Sequence, residues 1–121
     1  MSESRVCRTC GRRMEARRRW RGKENEVRYC SKRCRSARPN RTDLALEESI
    51  LALLAGRARG ATICPSEAAR AVAPDAWRPL LERTRCAARR LIAAGRLDML
   101  QRGQIVDASS ARGPVRLRLR T

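Results

Sequence analysis

Histidine is absent from the 121-residue chain, and so is phenylalanine. Without His there is no imidazole general base, no Cys–His or Ser–His pair, and no His-containing metal site. The aromatic side chains are Trp20, Tyr29 and Trp77, so a core has to be built from Leu, Ile, Val and Ala. No apolar run approaches the roughly 20 residues of a membrane-spanning helix, and residues 1–5 lack the apolar stretch of a secretory signal. The expectation is a soluble, cytoplasmic protein with no membrane partner. Catalytic patterns are missing too. There is no Gly-rich nucleotide loop and no carboxylate pair at a usable spacing. Asp98 and Asp107 would face each other across an expected hairpin, where Asp is ordinarily a surface residue. The chain is therefore not expected to be an enzyme.

Negative charge is also scarce: 12 Asp and Glu stand against 29 Lys and Arg, a net +17. Residues 1–41 hold 15 basic and 4 acidic side chains, and the remainder 14 and 8. Such an excess suits a polyanion, nucleic acid first and an acidic membrane surface second. Arg dominates over Lys and Ala is abundant, a bias that a GC-rich coding sequence also produces.

What is present begins with Cys7-Arg-Thr-Cys10 and Cys30-Ser-Lys-Arg-Cys34. Each short pair places two sulfurs on one turn, so each offers half a tetrahedron. Two such pairs are the sequence mark of a thiolate zinc site. Two disulfides or four unrelated buried thiols are the alternatives, and disulfides belong to oxidising compartments. Four thiolates leave no open position for water or substrate, so the expected Zn2+ is structural. Gly11 follows Cys10 where a turn often needs positive φ. Ser31 can cap a short helix that would carry Cys34 on its first turn. One knuckle on a turn and one at a helix start is a treble-clef-like layout. A module this small cannot bury a useful core, so the metal would hold it together. Of the two other cysteines, Cys64 precedes Pro65 at an expected helix start, where a thiol pKa can fall. Without a His as base, Cys64 and Cys86 are read as buried structural thiols.

Between the cysteine pairs, residues 12–21 read as a short strand or extended loop, residues 22–26 as a turn, and residues 27–29 as a returning strand. Residues 35–41 form a basic linker. Beyond it, Thr42 or Asp43 suits a helix N-cap. Leu44, Ala45, Ile50, Leu51, Leu53 and Leu54 recur at helical spacing, and Gly56 or Gly60 ends that helix. Residues 61–64 lean to strand. Pro65-Ser66-Glu67 starts a second helix, whose free N–H groups either hold a phosphate or are simply capped. Asp75 is read as the cap of a long third helix over residues 76–94, stopped by Gly95. Trp77, Leu80, Leu81, Thr84, Ala88, Leu91 and Ile92 mark its core side. Residues 96–101 and 104–107 pair around a tight turn at Arg102-Gly103. Residues 115–120 alternate strictly, with Val115, Leu117 and Leu119 on one face. The order helix, strand, helix, helix, hairpin, strand is that of a winged helix-turn-helix with its wing tip at residues 102–103. The fold class expected is α+β. Residues 1–38 form a four-cysteine zinc-finger-like module and residues 42–121 a winged-helix-like domain.

The stretch Cys7-x-x-Cys10-Gly-Arg with Val27-Arg-Tyr-Cys30-Ser-x-x-Cys34-Arg resembles the bacterial family called domain of unknown function 2256. Thr62-Ile-Cys-Pro-Ser-Glu through Leu80, Ala87 through Leu97, and Gly113-Pro-Val-Arg-Leu-Arg-Leu119 resemble domain of unknown function 3253. The resemblance implies a zinc-finger-like module fused to a winged-helix-like domain, and it implies no activity. The first family tends to carry more aromatic residues between its cysteine pairs. Here Met14, Arg19 and Asn25 stand in that region, so aromatic packing around the metal is expected to be thin.

The functional expectation is a zinc-containing nucleic-acid-binding protein, with DNA favoured over RNA. Arg17, Arg18, Arg19 and Arg21 would contact phosphate, with Trp20 either packed on the knuckles or stacked on a base. Arg78, Arg85 and Arg89 would line the groove-facing side of the long helix, and Arg102 the wing. An ordinary polar helix face accounts for the same residues. The alternative function is an adaptor docking on an acidic protein or nucleoprotein partner.

Overall fold

The computed structural model describes residues 5–14 and 27–120. Two strands, β1 (Arg5–Val6) and β2 (Arg13–Met14), pair antiparallel at the N-terminus. Helix α1 (Lys32–Ser36) begins at Ser31, whose hydroxyl accepts from the Cys34 amide at 3.1 Å. Cys34 therefore sits in the first turn, as its spacing predicts. The expected strand–turn segment over residues 15–26 lies outside the described residues, and residues 27–29 are not strand.

Helix α2 (Arg41–Ala55) starts two or three residues before the sequence expectation. Asn40 is the N-cap, and its side chain accepts from the amides of Thr42 and Asp43. Asp43 returns the bond, accepting from the Asn40 amide at 2.9 Å. Asp43 is thus the third helical residue of a capping box and not the cap itself. Gly56 closes the helix. Leu46, Ile50 and Leu54 stand at i, i+4 and i+8 and form the buried stripe, whereas Leu44 faces outward and is 54 % exposed.

After β3 (Thr62–Ile63), helix α3 (Pro65–Val72) opens with Pro at its first position. Glu67 reaches back to accept from the Cys64 amide at 2.7 Å. The anion at that N-terminus is therefore the chain's own carboxylate.

The long helix is shorter than expected. Helix α4 runs Leu81–Ala93, preceded by a 3-10 turn at Arg78–Leu80, so Asp75 does not cap it. The physical cause is Pro79: it has no N–H to donate, and it biases Arg78 away from the α region. Gly95, at φ +79°, ends the helix with its amide donating to the Ile92 carbonyl and that of Arg96 to Leu91.

The remaining strands are β4 (Leu97–Gln101), β5 (Gln104–Ile105) and β6 (Arg116–Leu119). Arg102 and Gly103, both at positive φ, make the tight β4–β5 turn that the sequence predicts. The sheet order is β3-β6-β4-β5, antiparallel throughout. Helices α2, α3 and α4 pack on one another and on this sheet. They enclose a core of Leu46, Ile50, Ile63, Ala68, Ala88, Leu91, Leu97, Met99 and Leu117. Truncating Leu46 or Ile50 to Ala in such a core costs about 2–5 kcal/mol. Among the described residues no helix is long and apolar enough to cross a membrane.

Candidate metal centre and the surfaces around it

The β1–β2 turn builds the first knuckle. The Cys7 amide donates to the Arg12 carbonyl, and the Gly11 amide to the Cys7 carbonyl. Gly11 lies at φ +75°, a conformation that favours glycine. The Arg8 amide donates to the Arg28 carbonyl, which draws residues 27–29 alongside and delivers Cys30. Ser31 and α1 then set Cys34. The Thr9 hydroxyl donates to the Cys34 carbonyl at 2.6 Å and ties one knuckle to the other.

The four sulfurs of Cys7, Cys10, Cys30 and Cys34 all lie within 4.8 Å of one another, and none is in a disulfide. Cys10 and Cys30 are 3.7 Å apart, and Cys30 and Cys34 3.5 Å. A tetrahedron with a metal–sulfur distance of about 2.3 Å has edges of roughly 3.8 Å, so the spacing fits one small metal ion. The electrostatics point the same way. Burial opposes ionisation of Cys7, but amide donors around it prevail and bring its thiol down to about 7. Burial, then the neighbouring sulfurs, push Cys30 up to about 12, and burial also raises Cys10. Four thiolates this close need a cation among them to ionise together.

The knuckle is seated on α4. Arg89 is 2 % exposed, and its Nε donates to the Cys10 carbonyl at 2.5 Å. Its Nη2 meets Glu82 and the Cys86 sulfur, each at 3.2 Å. Arg90 donates to the Thr9 carbonyl at 2.6 Å and is paired with Glu47 at 3.0 Å. Two successive arginines thus hold the carbonyls of Thr9 and Cys10, beside the metal ligands. A second contact lies further along. The Arg13 amide donates to the Ser109 hydroxyl at 3.0 Å, and the Arg13 guanidinium pairs with Asp107.

These contacts relocate several residues expected to meet nucleic acid. Arg89 is enclosed at the knuckle and cannot line a groove. Arg85 donates to the Gly113 carbonyl at 3.1 Å. Arg78 stacks on Trp77 at 4.6 Å, and Arg70 at 4.2 Å. Arg102 is exposed at the hairpin tip. Arg17, Arg18, Arg19, Trp20 and Arg21 lie outside the described residues. Asp98 is paired with Arg118 and Arg120, so it and Asp107 form no carboxylate pair. Cys64 and Cys86, expected to be buried, are half-buried: Cys64 accepts from the Ser66 hydroxyl at 3.2 Å, and partial burial raises the Cys86 thiol pKa. Sequence reasoning misses the role of Arg89 and Arg90. Glu82, Cys86 and Arg89 do stand at i, i+4 and i+7, a visible stripe, but nothing in the sequence says what covers it.

A family model described as Protein of unknown function (DUF3253) matches residues 43–120. A second, described as an uncharacterized protein conserved in bacteria (DUF2256), matches residues 2–37. No curated protein matches the chain.

Proposed function

Because the chain belongs to the family described as Protein of unknown function (DUF3253), which brings no activity with it, we propose a function from the residues themselves: a zinc-stabilised protein that binds nucleic acid through its cysteine module and the linker that follows. Zinc is the metal of choice for four thiolates at tetrahedral spacing, and with all four positions filled its role is structural. Cys7, Cys10, Cys30 and Cys34 would hold it. The knuckle-plus-helix layout supports a treble-clef-like reading. The element order from α2 to β6, with β6 between β3 and β4, supports a winged helix-turn-helix. In that reading α3 and α4 are the helix pair and the β4–β6 connection is the wing.

The observation that carries the nucleic-acid reading is a run of exposed basic residues over the module and linker. Among the described residues Arg13, Arg57, Arg83, Arg89, Arg90, Arg118 and Arg120 are in ion pairs, and Arg116 donates to Thr62. Arg8, Arg12, Arg28, Lys32, Arg33, Arg35, Arg38 and Arg41 are all exposed, and none is in an ion pair with a described residue. Unpaired guanidinium groups at this density attract phosphate and release counterions. A winged helix would ordinarily offer its second helix to a groove. Here the stripe of α4 that bears Arg89 is occupied by the knuckle, so the exposed cations Arg8, Arg12, Arg28, Lys32, Arg33, Arg35, Arg38 and Arg41 are the better contact surface.

The test is a salt-series binding assay on metal-loaded protein with duplex DNA, single-stranded DNA and structured RNA. Changing Arg8, Arg12, Arg33 and Arg38 together to Gln should weaken binding strongly and flatten the log–log salt slope by roughly 3–4. Changing Arg59 and Arg96 to Gln should have a much smaller effect. Undetectable binding of every polymer at low salt would sink the proposal. A single stoichiometric protein captured after nuclease treatment would support the adaptor reading instead.

A further inference from the structure

Two hollows lie side by side on the module face and share Arg38 and Arg90 in their walls. The larger, about 700 Å³, runs between the cysteine knuckles and α4, with Arg12, Arg33 and Arg83 in its wall beside the carboxylates Asp43 and Glu82, which Arg83 and Arg89 hold. The smaller has a floor of Tyr29, Pro39 and Leu44. Arg8, Arg38 and Arg90 surround that floor, with Glu47 as the one carboxylate, itself held by Arg90. Leu44 is one of two large hydrophobic side chains left exposed among the described residues, the other being Ile105. It sits at the start of α2, off the buried stripe of Leu46, Ile50 and Leu54.

An apolar floor that includes an aromatic ring, bordered by guanidinium groups, suits a π-face joined to a phosphodiester. In a duplex the bases are paired and stacked, and their faces cannot reach such a floor. In a single strand they can be splayed out. We propose that this hollow seats an unpaired nucleobase of a single-stranded nucleic acid on Tyr29, Pro39 and Leu44. Its flanking phosphates meet Arg8 and Arg38, and the strand continues past Arg12 and Arg33 along the larger hollow. This rests on the nucleic-acid reading above and narrows it to single strands.

The experiment uses full-length, metal-loaded protein and fluorescence anisotropy with a labelled 12-nucleotide oligo(dT) and a labelled 12-base-pair duplex at matched salt. The single strand should bind more tightly than the duplex. Tyr29→Ala should weaken single-strand binding about tenfold or more, the worth of one stacked base. Leu44→Ser should weaken it about threefold. Both should leave duplex affinity unchanged. Tyr29 packs against the cysteine cluster, so zinc content is measured for each variant. If Tyr29→Ala loses metal, Leu44→Ser decides alone, since its exposed side chain is not part of the core. Equal binding of both polymers, no effect of Leu44→Ser, or equal loss for strand and duplex overturns the base-seating inference while leaving general phosphate binding intact. Binding of neither polymer overturns both.

Discussion

Gly11 meets the backbone of α4 where the cysteine knuckle is seated. A Cβ built on it would stand 2.5 Å from Cβ of Arg89 and 2.6 Å from the Arg90 amide nitrogen. Its φ of +75° adds a second penalty for any other residue. Gly11→Ala should therefore destabilise the protein by about 2 kcal/mol or more. Gly60→Ala is the matched control: its φ is +84° and nothing lies within 4 Å, so only the conformational cost of about 1 kcal/mol remains. Thermal unfolding of the two variants separates crowding from strain, and equal losses would mean that the knuckle does not press on α4. Arg89 gives the complementary case. Arg89→Ala removes the donor to the Cys10 carbonyl and opens a void, for an expected loss of about 2–4 kcal/mol. Arg85→Ala, which frees only the exposed Gly113 carbonyl, should fall within about 0.5 kcal/mol of wild type. At this scale the sequence is half legible. The paired cysteine spacing is the one a tetrahedral metal site demands, so the four clustered cysteines can be picked out directly. Arg89 cannot, because a buried arginine on a helix looks like a surface arginine until its covering is known.

Helix α2 shows which features of an element are written locally. Asn40, Thr42 and Asp43 form a cap within four residues, and an acid titration should read it. Burial tends to raise the Asp43 pKa, but Arg83 at 2.8 Å and the Asn40 amide prevail and hold it below the usual carboxylate range. A lowered folded-state pKa contributes stability above the unfolded value of about 3.9, and that contribution disappears as pH falls through the folded value. Asp43→Asn should therefore cost stability at pH 7, with the gap to wild type closing as pH drops below about 4. Both proteins share acid protonation of the cysteines, so the difference between their melting curves isolates Asp43. A constant gap across pH would assign the effect to packing. The Arg102-Gly103 turn is equally legible, since a tight hairpin turn demands positive φ locally. The start of α4 is not. Its periodicity runs back through Leu80 and Trp77, but Pro79 converts that turn to 3-10. The expected core face includes Leu44, whereas the buried stripe is Leu46, Ile50 and Leu54, and Leu44 stands off it on the outer side of the helix.

Across the whole molecule, the two hydrophobic clusters are unequal, and the smaller depends on the larger. Cys7, Cys10 and Met14 are its buried members, far too few to fold residues 5–38 without a metal. The knuckle carbonyls of Thr9 and Cys10 are also where Arg89 and Arg90 of α4 find acceptors. Metal binding at the four cysteines would therefore be linked to the stability of the helical body through a shared set of hydrogen bonds. Stripping the metal with a chelator should unfold the knuckles and leave the Arg89 guanidinium without its carbonyl. The helical body should then melt lower, by about 5 °C if the loss is near 1 kcal/mol. Hydrogen exchange locates the effect. Amides over residues 86–93 should lose protection on chelation, while those of β3 and β6, remote from the knuckle, should keep theirs. Arg89→Met provides the decisive comparison, because it removes the hydrogen bond while keeping bulk and the helix. In that variant the chelation-induced shift should shrink substantially. A helical body that melts identically with and without metal, in wild type as in the variant, would mean that the cysteine module only rests on α4 and that its metal is felt no further than the knuckles.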